Sequence, residues 1–188
     1  GLLSRAVAEA GEESMMAKAL FPNGAEDLAL EFSRWADEQM LIELEKQDIS
    51  HLRVRDKVHH AVWTRIKILT PHRDAVRAAA KYWLRPPHGV QAGQAVWGSA
   101  DAIWIWAGDT STDYNRYTKR GLLSGVISTT FAYWLRDESE GYGKTRDFLS
   151  KKINMVVTIG QKTGQGVSMV KGLVAAMPFV GSFKGRAG

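Results

Sequence analysis

The sequence predicts an all-α fold. Apolar residues recur at helical spacing in every readable segment, prolines and glycines cut those segments at turn positions, and no alternating run is long enough to read as a strand. At 188 residues the chain has the length of one compact domain with a short appendage.

Leu3, Val7 and Ala10 open a first helix that Gly11 stops, and Met15, Met16, Ala19 and Leu20 form a second before Pro22-Asn23-Gly24 breaks the chain. Ala25 to Lys46 reads as a long amphipathic helix with Leu28, Phe32, Trp35, Met40 and Leu44 on one side. Further helices are expected over about 53–69, 72–84 and 90–107, bounded by Pro71, Pro86-Pro87 and Gly108. Another begins near Asp113, where Ser111 or Thr112 can cap it and an acidic residue suits the positive end of the helix dipole. With the segments beyond, the pattern gives about eight or nine helices in a bundle.

Apolar residues make up 45% and charged residues 24% of the chain, close to the globular norm, so a core is available and wholesale disorder is excluded. The lack of cysteine excludes a disulfide framework, thiolate metal sites and a cysteine nucleophile, and it fits a reducing compartment. No apolar run approaches the roughly 18–20 residues that cross a bilayer, and Glu9, Glu12 and Glu13 stand where a signal peptide would be cationic and then apolar. Gly1 falls in what reads as mid-helix, so a preceding segment is expected. The net charge of +5 is unevenly spread: residues 1–50 carry four basic and eleven acidic side chains, residues 51–100 nine and two, and residues 151–188 six and none. A basic middle and tail can attract nucleic acid or an anionic membrane, or can form solvated helix faces; the acidic head is repelled by both partners.

The pattern Leu2-Leu3 to Ala10-Gly11, Met15 to Phe21-Pro22, then Leu28 resembles the second and third helices of the TetR regulators, a helix-turn-helix. Duplex binding depends on phosphate neutralisation, so a recognition helix needs basic or neutral donors at its start. Here that start is Glu12-Glu13, followed by apolar Met15-Met16. The reading is a degenerate helix-turn-helix that keeps the shape without the nucleic-acid chemistry, and no nucleic acid partner is expected.

Three of the seven tryptophans lie in Trp97-Gly-Ser-Ala-Asp-Ala-Ile-Trp104-Ile-Trp106. Trp97 and Trp104 share one face at 100° per residue, whereas Trp106 points about 160° away from Trp104. A helix this apolar is either a central core helix, or one of its faces lines a cavity or partner surface beside the small Gly98, Ser99, Ala100 and Ala102. On the following helix, Arg116, Tyr117 and Arg120 fall within about 60° of Asp113 as one polar and aromatic stripe. A second face carries Gly121, Gly125, Ser128 and Ala132, small residues that allow close helix approach or leave room for a ligand against the large rings. A third, Leu122, Val126, Thr129 and Tyr133, reads as core.

The run Asp101-Ala-Ile-Trp-Ile-Trp-Ala-Gly-Asp109-Thr-Ser-Thr-Asp113-Tyr-Asn-Arg-Tyr117-Thr-Lys-Arg120 resembles the signature of the Coq nine family of ubiquinone-biosynthesis accessory proteins. Leu122 to Asp137 and Asp147-Phe148-Leu149 continue the match, which reaches from Leu2 to about Gly164. The resemblance implies a TetR-like helical bundle divided into a remnant helix-turn-helix at 1–24, a helical lipid-binding domain at 25–160 and an amphipathic membrane-associating tail at 161–188. It implies an isoprenoid lipid or phospholipid as ligand, held near Trp97, Trp104, Gly121, Gly125, Ser128 and Ala132. It further implies the di-iron demethoxyubiquinone hydroxylase, Coq seven, as a partner contacted by a surface patch at Ile103, Asp113, Arg116, Tyr117 and Arg120. Some members carry Trp where this chain has Arg116, which alters the patch without abolishing it, since Arg is also favoured at interfaces. By analogy with TetR-like folds a homodimer through the C-terminal helices is expected.

No catalytic residue, metal site or cofactor is expected. A di-iron carboxylate centre needs Glu-x-x-His pairs, and His59 and His60 are preceded by Asp56 and Lys57 instead. The chain contains no P-loop, dinucleotide fingerprint or nucleophile elbow.

In the tail, Val167, Val170, Leu173, Val174 and Met177 form an apolar stripe among Lys162, Lys171, Lys184 and Arg186, a pattern suited to an anionic headgroup layer. The membrane-contacting residues are expected at Val170, Lys171, Leu173, Val174 and Met177. The leading function is a non-enzymatic lipid-binding accessory in ubiquinone biosynthesis, in the bacterial cytoplasm against the inner membrane or on the matrix face of the mitochondrial inner membrane. The alternatives are a TetR-like ligand-responsive regulator and an enzyme with an unrecognised site.

Overall fold

The computed structural model describes residues 14–86, 88–112 and 114–162. They form seven α-helices and no strand: α1 (Ser14–Leu20), α2 (Ala25–Glu45), α3 (Val54–Leu69), α4 (Arg73–Trp83), α5 (Gly89–Trp106), α6 (Tyr114–Trp134) and α7 (Gly143–Lys162), with 3-10 turns at Thr70–His72 and Glu140–Tyr142. The expected first helix and the whole tail stripe lie outside the described residues.

The helix bounds follow the breakers read in the sequence. Pro71 turns α3 into α4 through a 3-10 turn. Gly108, at φ +89°, ends α5 in the left-handed conformation that glycine adopts without strain. The chain leaves α5 in a Schellman arrangement: Gly108 N–H donates to Ile105 O at 3.0 Å and Asp109 N–H to Trp104 O at 2.9 Å.

α2 packs on α3 and α5, α5 on α6, and α7 closes the bundle against α3 and α6, while α4 lies at its edge. The core is assembled from Ala36, Met40 and Leu44 of α2, Val62 and Ile66 of α3, Ala100 and Ile103 of α5, Ile127 and Trp134 of α6, and Leu149 of α7. On α2 the buried line therefore runs through Ala29 and Ala36 into Met40 and Leu44, while Leu28, Phe32 and Trp35 are only half-buried. Small residues win the central positions because α2 approaches α5 closely there, bringing Asp37 within 2.8 Å of the Ser99 hydroxyl. On α6 the innermost line is Leu123, Ile127, Thr130 and Trp134, next to Val126; Tyr133, expected in the core, is 38% exposed and stacks on Phe148 at 4.6 Å.

Buried Arg65 and the half-buried Arg73 and Arg77 tie the helices together. Arg65 of α3 donates from Nε to Asp37 at 2.6 Å and from Nη2 to the Ser33 hydroxyl at 3.0 Å, with its guanidinium 5.2 Å from the Phe131 ring centroid. Arg73 of α4 donates to the Trp134 and Asp137 carbonyls at 2.7 and 2.6 Å, and Arg77 to that of Leu135 at 3.1 Å. The carbonyls at and just beyond the end of α6 thus face positive charge, which suits that end of the helix dipole.

Candidate functional site

The signature segment 101–120 folds into the junction of α5 and α6. The Schellman turn leaves Asp109 facing the first turns of α6, with its carboxylate almost fully buried. It accepts hydrogen bonds from Lys119 Nζ at 2.7 Å, from the Ser111 hydroxyl at 2.9 Å and from Arg120 Nη1 at 3.1 Å. Burial alone would raise its pKa; the bonds from Lys119, Ser111 and Arg120 override that and hold it at about 2. Arg120 Nε donates to Asp101, one helix turn before Trp104, and Arg116 reaches the same carboxylate at 3.5 Å. Burial works against the Arg120 charge, but the two carboxylates more than compensate and raise its pKa. The Trp104 indole N–H donates to the Lys119 carbonyl at 3.1 Å, and the Lys119 ammonium lies 5.5 Å from the Trp104 ring centroid.

This network corrects the surface patch expected from the sequence. Ile103 is fully buried and Arg120 only 2% exposed, so neither is available to a partner. A guanidinium placed between two carboxylates is drawn inside, where it locks α5 to α6. Of the stripe, Tyr117 stands out at 63% exposure and Arg116 is partly exposed beside Asp101; Asp113 lies outside the described residues. Asp101, Asp109 and Lys119 were missed as site residues. Their signal was present: two acids near the end of one helix opposite two adjacent bases early in the next.

Trp97 is 36% exposed and its ring centroid lies 6.4 Å from that of Tyr117. A Cβ added at Gly121 would meet Trp97 Cζ3 at 3.9 Å, an ordinary contact, so the Trp97 ring lies beside Gly121 without requiring a glycine there. The other small residues do not share one cavity wall: Gly125 is buried, Ser128 half-buried and Ala132 exposed. Trp104 is partly buried against the core. The arrangement is an open aromatic surface on a rigid charged frame. Val170, Lys171, Leu173, Val174 and Met177 lie outside the described residues.

Among the described residues no cluster of His, Asp and Glu could hold a metal ion, and no helix is long and apolar enough to cross a membrane. His59 shares a 3.0 Å hydrogen bond with the Ser150 hydroxyl and His60 a 2.8 Å one with Gln47. Burial pushes both imidazoles below their ordinary pKa.

Comparison with known proteins places these features. The COQ9 family model matches residues 90–160, which contain the whole α5–α6 frame. The chain is 28% identical to the ubiquinone biosynthesis protein COQ9, mitochondrial, of Rattus norvegicus, over 94% of this chain and 61% of that protein. It is equally similar to the Homo sapiens protein of the same name, over 94% of this chain and 60% of that one. The chain thus spans about 60% of the length of these relatives. Among solved structures, a TetR transcriptional regulator from Nitrosomonas europaea superposes with a TM-score of 0.65 at 24% identity, covering 83% of this chain and 86% of that one. The fold is a TetR-like helical bundle, and its signature segment is similar to the COQ9 family over residues 90–160.

Proposed function

We propose that this chain is a non-catalytic accessory protein of ubiquinone biosynthesis that holds an isoprenoid quinone intermediate on its α5–α6 surface and presents it to the demethoxyubiquinone hydroxylase. The observation that carries this reading is the exposed Trp97–Tyr117 pair beside Gly121, mounted on the Asp101–Arg120–Asp109 frame. Exposed Trp and Tyr held on rigid helices are the side chains that most often anchor a partner or an apolar ligand. Val90 and Gly93 share the Trp97 face of α5 at helical spacing, and Val90 is 56% exposed. This surface extends an apolar strip along which a hydrocarbon chain can lie and shed water. The frame itself offers little acid–base chemistry, because Asp109 stays charged and its oxygens are occupied.

Ser128, half-buried, and Ala132, exposed, lie further along α6, while Gly125 is buried and Trp104 packs against the core. The partner contact is assigned to Tyr117 and Arg116. The basic tail, through Val170, Lys171, Leu173, Val174 and Met177, brings this surface to an anionic bilayer, and pairing of two chains through the C-terminal helices doubles the attachment. The membrane is the bacterial inner membrane or the matrix face of the mitochondrial inner membrane; the relatives carry mitochondrial names.

Organic extraction and mass spectrometry of the purified protein, with a binding titration against the hydroxylase, test this reading. Isoprenoid lipid should co-purify and be depleted in Trp97→Ala. Tyr117→Ala should weaken hydroxylase binding by about tenfold or more at unchanged thermal stability. A chain that carries no isoprenoid lipid, together with an unchanged hydroxylase affinity in Tyr117→Ala, would remove the basis for it.

A further inference from the structure

A second recess lies away from the α5–α6 surface, in the outward groove between α2 and α3. It has a volume of about 430 Å³, within the range of small-molecule sites. Trp35, Ile42 and Ile68 form its apolar walls, and at one end the Trp35 ring meets His72 edge-on with centroids 5.2 Å apart. The other end is cationic, with Lys46 and Lys67 at the rim.

Two features of this groove leave capacity for a ligand. Thr64 lines it, is fully buried, and its hydroxyl has no hydrogen-bond partner. A buried hydroxyl left unpaired is destabilising, and nearly all such groups find a partner. Lys67 is exposed and makes no ion pair among the described residues, whereas Lys46 is bonded to Glu43 at 2.9 Å. Glu43 is held below the ordinary carboxylate range by the Lys46 hydrogen bond, and Lys67 adds to the pull. The cationic end therefore carries two positive charges and one negative. It can neutralise a single negative charge and would leave a doubly charged phosphate undercompensated.

We infer that the α2–α3 groove binds a small amphipathic carboxylate, with an aromatic ring against Trp35, Ile42 and Ile68, its carboxylate on Lys67, and a polar ring substituent bonded to the Thr64 hydroxyl. A flat ring suits a slot walled by an indole and two branched aliphatic side chains. A lone ammonium acts as a point charge and does not impose the paired geometry of a guanidinium. This site shares no residue with the α5–α6 surface, so it stands or falls separately from the proposed accessory role.

The experiment is an NMR titration of the full chain with 2-naphthoate, its neutral analogue 2-naphthamide, and 6-hydroxy-2-naphthoate, following the Trp35 indole and Thr64 amide signals. 2-Naphthoate should produce saturable shifts at both, and 2-naphthamide should bind about tenfold more weakly. Lys67→Ala should weaken 2-naphthoate binding by a similar factor, and Glu43→Gln should tighten it. Thr64→Val should raise the melting temperature of the free protein by about 2–4 °C, since it removes an unpaired hydroxyl. The same variant should lose the added affinity of the hydroxylated ligand while binding 2-naphthoate as before. Non-saturable shifts, equal binding of acid and amide, or indifference to Lys67→Ala would each overturn the assignment.

Discussion

Replacing Arg120 by alanine should destabilise the folded chain by about 3–5 kcal/mol, the range found when one partner is removed from a buried ion pair. Arg120 touches two acids at once, and its removal leaves Asp101 without its main partner and Asp109 with only Lys119 and Ser111. For a domain of this size the loss corresponds to a fall in melting temperature on the order of 10 °C. Arg120→Lys should lie between the two, since it restores charge but cannot span both carboxylates. Tyr117→Ala, three residues away on the exposed side, should stay within about 0.5 kcal/mol of the parent. Urea unfolding of the three variants checks this. If Arg120→Ala unfolds at the same urea concentration as the parent, the frame does not hold α5 to α6 as argued. The deficit should also narrow in acid, because the parent loses its own advantage as its carboxylates protonate.

The contrast between Arg120 and Tyr117 shows how far a sequence can be read. Helix bounds were legible because they depend on local chemistry: Pro71 cannot continue α3, and Gly108 can take the φ of +89° that ends α5. Which edge of a helix faces inward is a long-range matter. At 100° per residue Asp113, Arg116, Tyr117 and Arg120 form one stripe, yet Arg120 is pulled inside by acids 11 and 19 residues earlier while Tyr117 remains outside. The same holds for Arg65, whose partner Asp37 lies 28 residues back. On α2 the size of the apolar residues misled: Leu28, Phe32 and Trp35 promised the core, but the close approach of α5 needed Ala36. The Thr64 groove had no sequence signal, because an unpaired hydroxyl is defined only by what surrounds it.

The second large effect is acid sensitivity, and it centres on two carboxylates. Asp137, between α6 and α7, accepts hydrogen bonds from Ser139 N–H and hydroxyl at 2.9 and 2.6 Å and from Thr145 N–H and hydroxyl at 2.8 and 2.6 Å. Burial would raise its pKa, but these four donors hold it far below the ordinary carboxylate range; Asp109 is held at about 2. A group whose folded pKa lies below its unfolded value stabilises fully above the unfolded pKa and loses that contribution as pH falls through the folded one. Stability should therefore be level above about pH 5, decline from about pH 4, and keep declining to pH 2 and below. Asp109 accounts for about 2–3 kcal/mol of the fall, and Asp137 adds to it in the same direction. Mutual repulsion among the 25 Lys and Arg and five His side chains also grows in acid. That background is common to parent and variants, so differences between their profiles isolate the two sites. Asp137→Asn should lose about 2–3 kcal/mol at pH 7, because its amide nitrogen faces donors and leaves the buried Thr145 groups short of an acceptor. The gap to the parent should then narrow from about pH 4 and still be narrowing at pH 2. Urea midpoints measured at intervals from pH 7 to pH 2 decide it: a gap that stays constant would mean that Asp137 stabilises the turn by shape and not by its charge.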